Sequence, residues 1–381
     1  MRLLIILVDY SFSERDYKRF SISYLQQHFD VKVVDLSGWM KRKVAHLEVS
    51  YPFDGHYQIT HWKGCKNFIK LIPKSGYLVI DCLSNNIKSV WLRRKLYFLG
   101  ARFIILRLGL LPTYKTQFSI KLYFKTLLSP QKYLRFIYHS FLRHLMPRIN
   151  IAMIGGRVAL SMLKAIPHKI FAHSFDYDVY LNKQYSFNNL NVTYAVFLDE
   201  DMINHPDYIY CDLPCPATAK EYYTSLATFF DYLEEKFKLK IIIATHPRSK
   251  LDDKDTPFNG RLCIQGKTAE LIKGSLFVIS HISTAKSYAI LWKKPIVFIT
   301  TDELNMSWIR PHIDFHALAL KKSPVNINNQ TEYPSKLQDL LAIDDDAYAE
   351  YQQNYLKIPG SPEKPLMNIF VDYLQEHCIE A

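Results

Sequence analysis

The sequence holds only 12 glycines in 381 residues, and none builds a GxGxxG run after an apolar strand or a Walker-type GxxxxGK[ST] loop. Both absences argue against dinucleotide oxidoreductases and P-loop ATPases, which need backbone close to phosphate. The six cysteines (Cys65, Cys82, Cys211, Cys215, Cys263 and Cys378) are scattered, without a CxxC pair or a Cys/His run. That spacing indicates neither a disulfide framework nor a structural zinc site. No run reaches the roughly 20 uncharged apolar residues of a membrane span. The opening MRLLIILVDY has an apolar run that ends at Asp9, too short for a signal-peptide core, and reads as a first strand. A cytoplasmic location is the expectation. No Asp-x-Asp ends an apolar strand, so neither a metal nor another cofactor is expected; Asp344–Asp346 sits in polar surroundings and reads as a helix cap.

A further absence is local. Between Asp81 and Asp176 there is no acidic residue, while the same stretch carries 16 Lys and Arg. The overall charge is +12, so the rest of the chain is net acidic. Charge concentrated in this way points to a local anionic partner.

What is present suits two buried cores. Hydrophobic residues make up 49% and charged residues 22% of a chain whose length suits two domains. Apolar, β-branched runs at 2–8, 31–34, 77–80, 102–105, 149–154 and 169–173 alternate with amphipathic segments such as 15–27 and 87–99. After a turn-like SFNNLN the pattern restarts, with strands expected at 192–198, 241–245, 262–265, 276–279 and 296–300 and a long helix at 217–238. Alternation of this kind predicts α/β architecture: two Rossmann-like domains with parallel sheets facing a cleft. The domains are read as 1–188, with a basic aromatic helical insertion at about 114–148, and 189–381, whose last helix packs back on the first domain.

Ligands of open parallel sheets bind at the carboxyl ends of strands, so residues placed there carry the weight. The strand in KLKIIIATHPRSK delivers His246, Pro247 and Arg248; that in LFVISHIST delivers Ser280, Ser283 and Thr284 at the start of a helix. A helix start with hydroxyls and free amides is an anion site, and a His-Pro turn beside it adds a donor to phosphate. Glu303, after the next strand, is placed to accept ribose hydroxyls. Asp199 is the candidate general base, with Asp9, Glu200, Asp201 and Asp176 as alternative base or cleft acids. Asp178 follows Asp176 on the same side, and His205-Pro206 reads as a structural loop.

With these residues the chain resembles bacterial GT-B glycosyltransferases that use CMP-activated nonulosonic acids (sialic, pseudaminic, legionaminic or Kdo-like sugars), mainly over 190–303. In that family a His-Pro turn and a later Ser/Thr turn bind the CMP phosphate, which here implies His246-Pro247 and Ser283-Thr284. The family's base comes from an acidic pair followed by glycine; Asp199-Glu200 is followed here by Asp201. The resemblance implies sugar transfer from a CMP donor to a hydroxyl of a glycan or glycolipid acceptor, as in capsule or lipopolysaccharide synthesis. Open alternatives are a CDP-glycerol or CDP-ribitol phosphotransferase, a UDP- or GDP-sugar transferase, and a non-catalytic membrane or polysaccharide-assembly module. The basic stretch 82–175, with KLYFKTLLSPQKYLRFIYHSFLRHL at its centre, suits the anionic inner face of a membrane. It carries no recognised nucleic-acid motif, and nucleic acid is not an expected partner.

Overall fold

The computed structural model describes residues 1–41, 50–74, 76–112, 130–182, 192–205, 208, 213–247, 249 and 257–377. The strands are β1 (Arg2–Val8), β2 (Phe29–Asp35), β3 (His56–Gln58), β4 (Tyr77–Cys82), β5 (Ala101–Arg107), β6 (Ile149–Ile154), β7 (His168–Phe171), β8 (Tyr194–Leu198), β9 (Lys240–Thr245), β10 (Cys263–Gln265), β11 (Val278–Ser280), β12 (Ile296–Thr300) and β13 (Val325–Asn326). They form a seven-stranded sheet in the order β3-β2-β1-β4-β5-β6-β7 and a six-stranded sheet in the order β10-β9-β8-β11-β12-β13. Every pairing within them is parallel.

Parallel sheets are covered on both faces, which is why these strands read as continuous apolar runs. Alternate residues of β1 divide accordingly. Leu4, Ile6 and Val8 pack with Ile22 and Phe370, whereas Leu3, Ile5 and Leu7 pack with Phe68, Leu92 and Leu96. The second sheet behaves alike: Phe197 and Ile243 face the long helix Ala219–Phe237 at Phe229 and Phe230, while Val196 and Ile242 face Ile290 and Tyr351.

The chain links its two sheets twice. Helix Phe175–Leu181 buries Tyr177 in the core of the second sheet, and helix Leu366–Glu376 returns to bury Leu366, Ile369 and Phe370 in the core of the first. The expected helix over 15–27 is two helices, Glu14–Arg19 and Ile22–Leu25, because Ser21 between them is left-handed at φ 45°. A capping box at Ser13 starts the first of the two. Of the expected 114–148 insertion, the described part is helix Pro130–His144 and the residues after it.

Candidate functional site

Strand order in the second sheet reverses between β8 and β11, and β9 lies beside β8. The turns after these strands therefore share one edge, at the crevice such a reversal opens. They face a cleft of about 1210 Å³. One wall is Leu198, Asp199, Thr245, His246, Pro247, Ser283, Thr284 and Tyr288; the other is Glu14, Arg15, Lys18 and Arg19 of the first helix together with Phe175 and Asp176. Asp199, His246, Pro247, Ser283, Thr284 and Asp176, expected from the sequence, thus line a single space.

Asp199 is buried. Its Oδ1 accepts from the Asp201 amide at 3.0 Å and its Oδ2 from the His246 amide at 3.3 Å. Burial pushes its carboxyl up to about 6, against those hydrogen bonds. A carboxylate in that range, at a cleft wall, is poised to take a proton near neutrality. The Asp201 amide reaches it because Asp201 is left-handed at φ 49°, a conformation that glycine adopts freely and aspartate tolerates. The position after the acidic pair thus has glycine-like backbone geometry without a glycine. The His246 ring meets the His205 ring at 5.1 Å, which brings the loop of His205 against the His-Pro turn. The His246 carbonyl is held by Gln265 Nε2 at 3.0 Å.

The turn after β11 differs from expectation. Its amides do not open to the cleft as an anion site; the carboxylate of Glu200 fills their place. Oε1 accepts from the amides of His281 (3.2 Å), Ile282 (2.9 Å) and Ser283 (2.7 Å) and from Ser280 Oγ (3.2 Å). Burial pushes Glu200 up to about 7, and the hydrogen bonds work the other way. Ser280, buried and engaged with Glu200, supports the turn from below. Neither residue lines the cleft. The opposite side of the turn is held by Lys286, which is fully buried. Its Nζ donates to the Ser283 carbonyl at 3.2 Å and lies 2.9 Å from His316 Nδ1. Burial brings Lys286 down to about 7 and His316 down to about 2, so a neutral imidazole accepts from the lysine. Beyond this clamp Ser283, Thr284 and Ala285 line the cleft, with Thr284 the exposed one of the three.

Three further residues expected at the site lie off the cleft wall. Both Glu303 oxygens accept from Thr218, the N-cap residue of the long helix, from its amide at 2.8 Å and its hydroxyl at 3.0 Å, and Glu303 is not among the residues that line the cleft. Asp9 is buried at the end of β1, where it accepts from the Ser84 amide (3.0 Å) and hydroxyl and from Lys41 (3.2 Å). It secures the reversal point of the first sheet and does not line the cleft. Asp201 shapes the backbone beside Asp199 and is likewise off the wall. Asp176 does reach the cleft, but it is paired with Arg19 at 3.5 Å and hydrogen-bonded to Tyr288, which ties one wall to the other. Arg248 lies outside the described residues.

Sequence reasoning missed Lys286, Glu200 as a plug, and the wall of Arg15, Lys18 and Arg19, in which Lys18 pairs with Glu14 and Arg19 with Asp176. A lone lysine among STAKSYAIL is a faint signal for the first; the other two are set by residues distant in the chain. Among the described residues no three His, Cys, Asp or Glu side chains are grouped to hold a metal ion.

No protein-family model and no curated protein matches this sequence. Solved structures match it over the whole chain. The UDP-GlcNAc 2-epimerase of Methanocaldococcus jannaschii, in complex with UDP-GlcNAc and UDP, aligns with 99% of this chain and 100% of its own at a TM-score of 0.52 and 13% identity. The S. aureus MnaA–UDP structure aligns with 100% and 98% at 0.53 and 11%, and CalG4, the calicheamicin glycosyltransferase, with 99% and 99% at 0.51 and 8%. Its fold is GT-B. At such identities the likeness carries the architecture alone. Within the GT-B frame, the cleft between the two sheets is the space the turns after β8, β9 and β11 look into.

Proposed function

We propose that this GT-B protein is a sugar-nucleotide-dependent glycosyltransferase, with a CMP-activated nonulosonic acid as donor and a glycan or glycolipid hydroxyl as acceptor. The observation that carries the reading is the convergence of Asp199, His246-Pro247 and Ser283-Thr284 on one wall, opposite Arg15, Lys18 and Arg19. Asp199 takes the proton of the acceptor hydroxyl as its oxygen bonds to the anomeric carbon. The carbon–oxygen bond to the donor phosphate breaks in the same event, and its electron pair leaves with the nucleotide. His246, Thr284 and Arg15 stabilise the charge growing on that phosphate, a kind of electrostatic effect that dominates many such reactions, while Lys18 and Arg19 are paired with Glu14 and Asp176. Glu200 occupies the amides of the turn after β11, so in this reading the donor phosphate meets the turn through the Ser283 and Thr284 side chains.

A second reading, epimerisation of a UDP-sugar, is favoured by the whole-chain likeness to UDP-GlcNAc 2-epimerases. It requires no acceptor. Thermal shift with CMP, CDP, UDP and GDP separates the readings, followed by mass spectrometry with CMP-sugars and a lipid-linked acceptor. Stabilisation by CMP that His246→Ala removes supports transfer from a CMP donor. Stabilisation by UDP alone moves the assignment to the second reading, and by CDP alone to polyol-phosphate transfer. No response to any nucleotide refutes a sugar-nucleotide enzyme.

A further inference from the structure

We propose that helix Pro130–His144, with the adjoining end of helix Ile87–Phe98, is the surface by which this protein lies on an anionic lipid bilayer. An amphipathic helix that belongs to a globular fold turns its apolar stripe toward a core. Here the stripe faces out. Leu134, Ile137, Tyr138 and Phe141 follow one another at the i, i+3, i+4, i+7 spacing of a single helix face, and they are 65%, 44%, 42% and 56% exposed. From Leu134 onward, the one described side chain of this helix that is buried is Leu142. The stripe does not stand alone. Arg94 reaches the Leu145 carbonyl at 3.4 Å, which joins the end of this helix to helix Ile87–Phe98, where Phe98 is 71% exposed and Tyr97, Arg94 and Lys95 are also at the surface.

Charge selects the occupant. Both helices belong to the stretch 82–175, which has 16 Lys and Arg and no Asp or Glu. Arg93 is buried and paired with Asp81, whereas Arg94, Lys95 and Arg143 are at the surface. A second copy of this chain meeting the patch face to face would present the same positive charge and be repelled. Nucleic acid would satisfy the charge but leave the aliphatic stripe in water. An anionic bilayer meets both demands: headgroups pair with Lys and Arg while the apolar stripe enters the interface. Among the described residues no helix is long and apolar enough to cross a membrane, so the contact is with the surface. The inference is independent of the chemistry proposed for the cleft.

The test is co-sedimentation of the full chain with large vesicles of phosphatidylcholine alone and of phosphatidylcholine mixed equally with phosphatidylglycerol. Binding to the anionic vesicles is expected to be at least about tenfold stronger and to weaken as salt rises. Leu134→Ser with Ile137→Ser and Phe141→Ser should lower it at least about tenfold, and these exposed positions leave folding and the nucleotide thermal shift unchanged. Lys95→Gln with Arg143→Gln should reduce mainly the salt-sensitive part. Equal binding to both vesicle types, or full binding by the triple serine variant, overturns the proposal. Absence of vesicle binding together with retention on duplex DNA, or a dimer that the same triple variant dissociates, overturns it in favour of the other occupants.

Discussion

Replacing Glu200 by alanine removes the acceptor on which three consecutive amides converge. His281 is fully buried, so its orphaned amide loses about 1–3 kcal/mol with no water to compensate; Ile282 and Ser283 are partly exposed and recover some of theirs. Together the loss comes to about 3 kcal/mol. Glutamine is the informative control. Nearly all the hydrogen bonds end on Oε1, and Oε2 receives only the Ile282 amide, at 3.2 Å. An amide oxygen can stand at the Oε1 position, so Glu200→Gln should cost about 1 kcal/mol. The assay is urea unfolding of the wild type and both variants, comparing midpoints of the transition that contains the C-terminal domain. The alanine variant should also lose nucleotide-induced stabilisation more than the glutamine variant, because the turn bearing Ser283 and Thr284 loosens. The reasoning is refuted if alanine and glutamine are equally damaging, or if alanine lies within about 0.5 kcal/mol of the wild type, the range of an ordinary surface change.

Asp199→Asn keeps an acceptor for one of the two neighbouring amides and cannot take a proton; turnover should fall about 10²–10⁴-fold with the nucleotide thermal shift retained, and unaltered turnover would remove Asp199 from its role as base. Glu200 sits near 7 in the folded protein against an ordinary 4.5, so the folded state binds the extra proton and Glu200's contribution to stability declines as pH rises from about 4.5 to 7. Lys286 runs the other way: near 7 folded against 10.5, it is neutral when the unfolded chain is still protonated, and its contribution grows with pH across that interval. Melting temperatures across pH should therefore lose the lower limb in Glu200→Gln and the upper limb in Lys286→Met; unchanged profiles would contradict the assigned burial. In the first domain, Arg93 holds Asp81 with two hydrogen bonds, at 2.6 and 3.0 Å, and the Leu83 carbonyl at 2.7 Å. Arg93→Met leaves a buried carboxylate unpaired and should destabilise by about 3–5 kcal/mol, with Asp81→Leu added to it restoring much of the loss in chemical denaturation.

The sequence by itself determined the two parallel sheets and the residues that end their strands. Runs such as LLIILV and IIIAT are apolar on both faces, and that pattern is local, so it survives without knowledge of the fold. It also placed Asp199, His246 and Ser283-Thr284 on one wall, because turns after adjacent parallel strands must share an edge. Only the tertiary structure decided which polar groups remain free for a ligand. Glu200 meets amides some eighty residues away, Glu303 meets Thr218, Asp9 meets Ser84, and Lys286 meets His316. A buried donor or acceptor takes whatever partner the packing brings to it, and neighbours in space are not neighbours in the chain. For the same reason, periodicity showed that helix Pro130–His144 has an apolar stripe, whereas its exposure became visible only when the rest of the described chain had packed elsewhere.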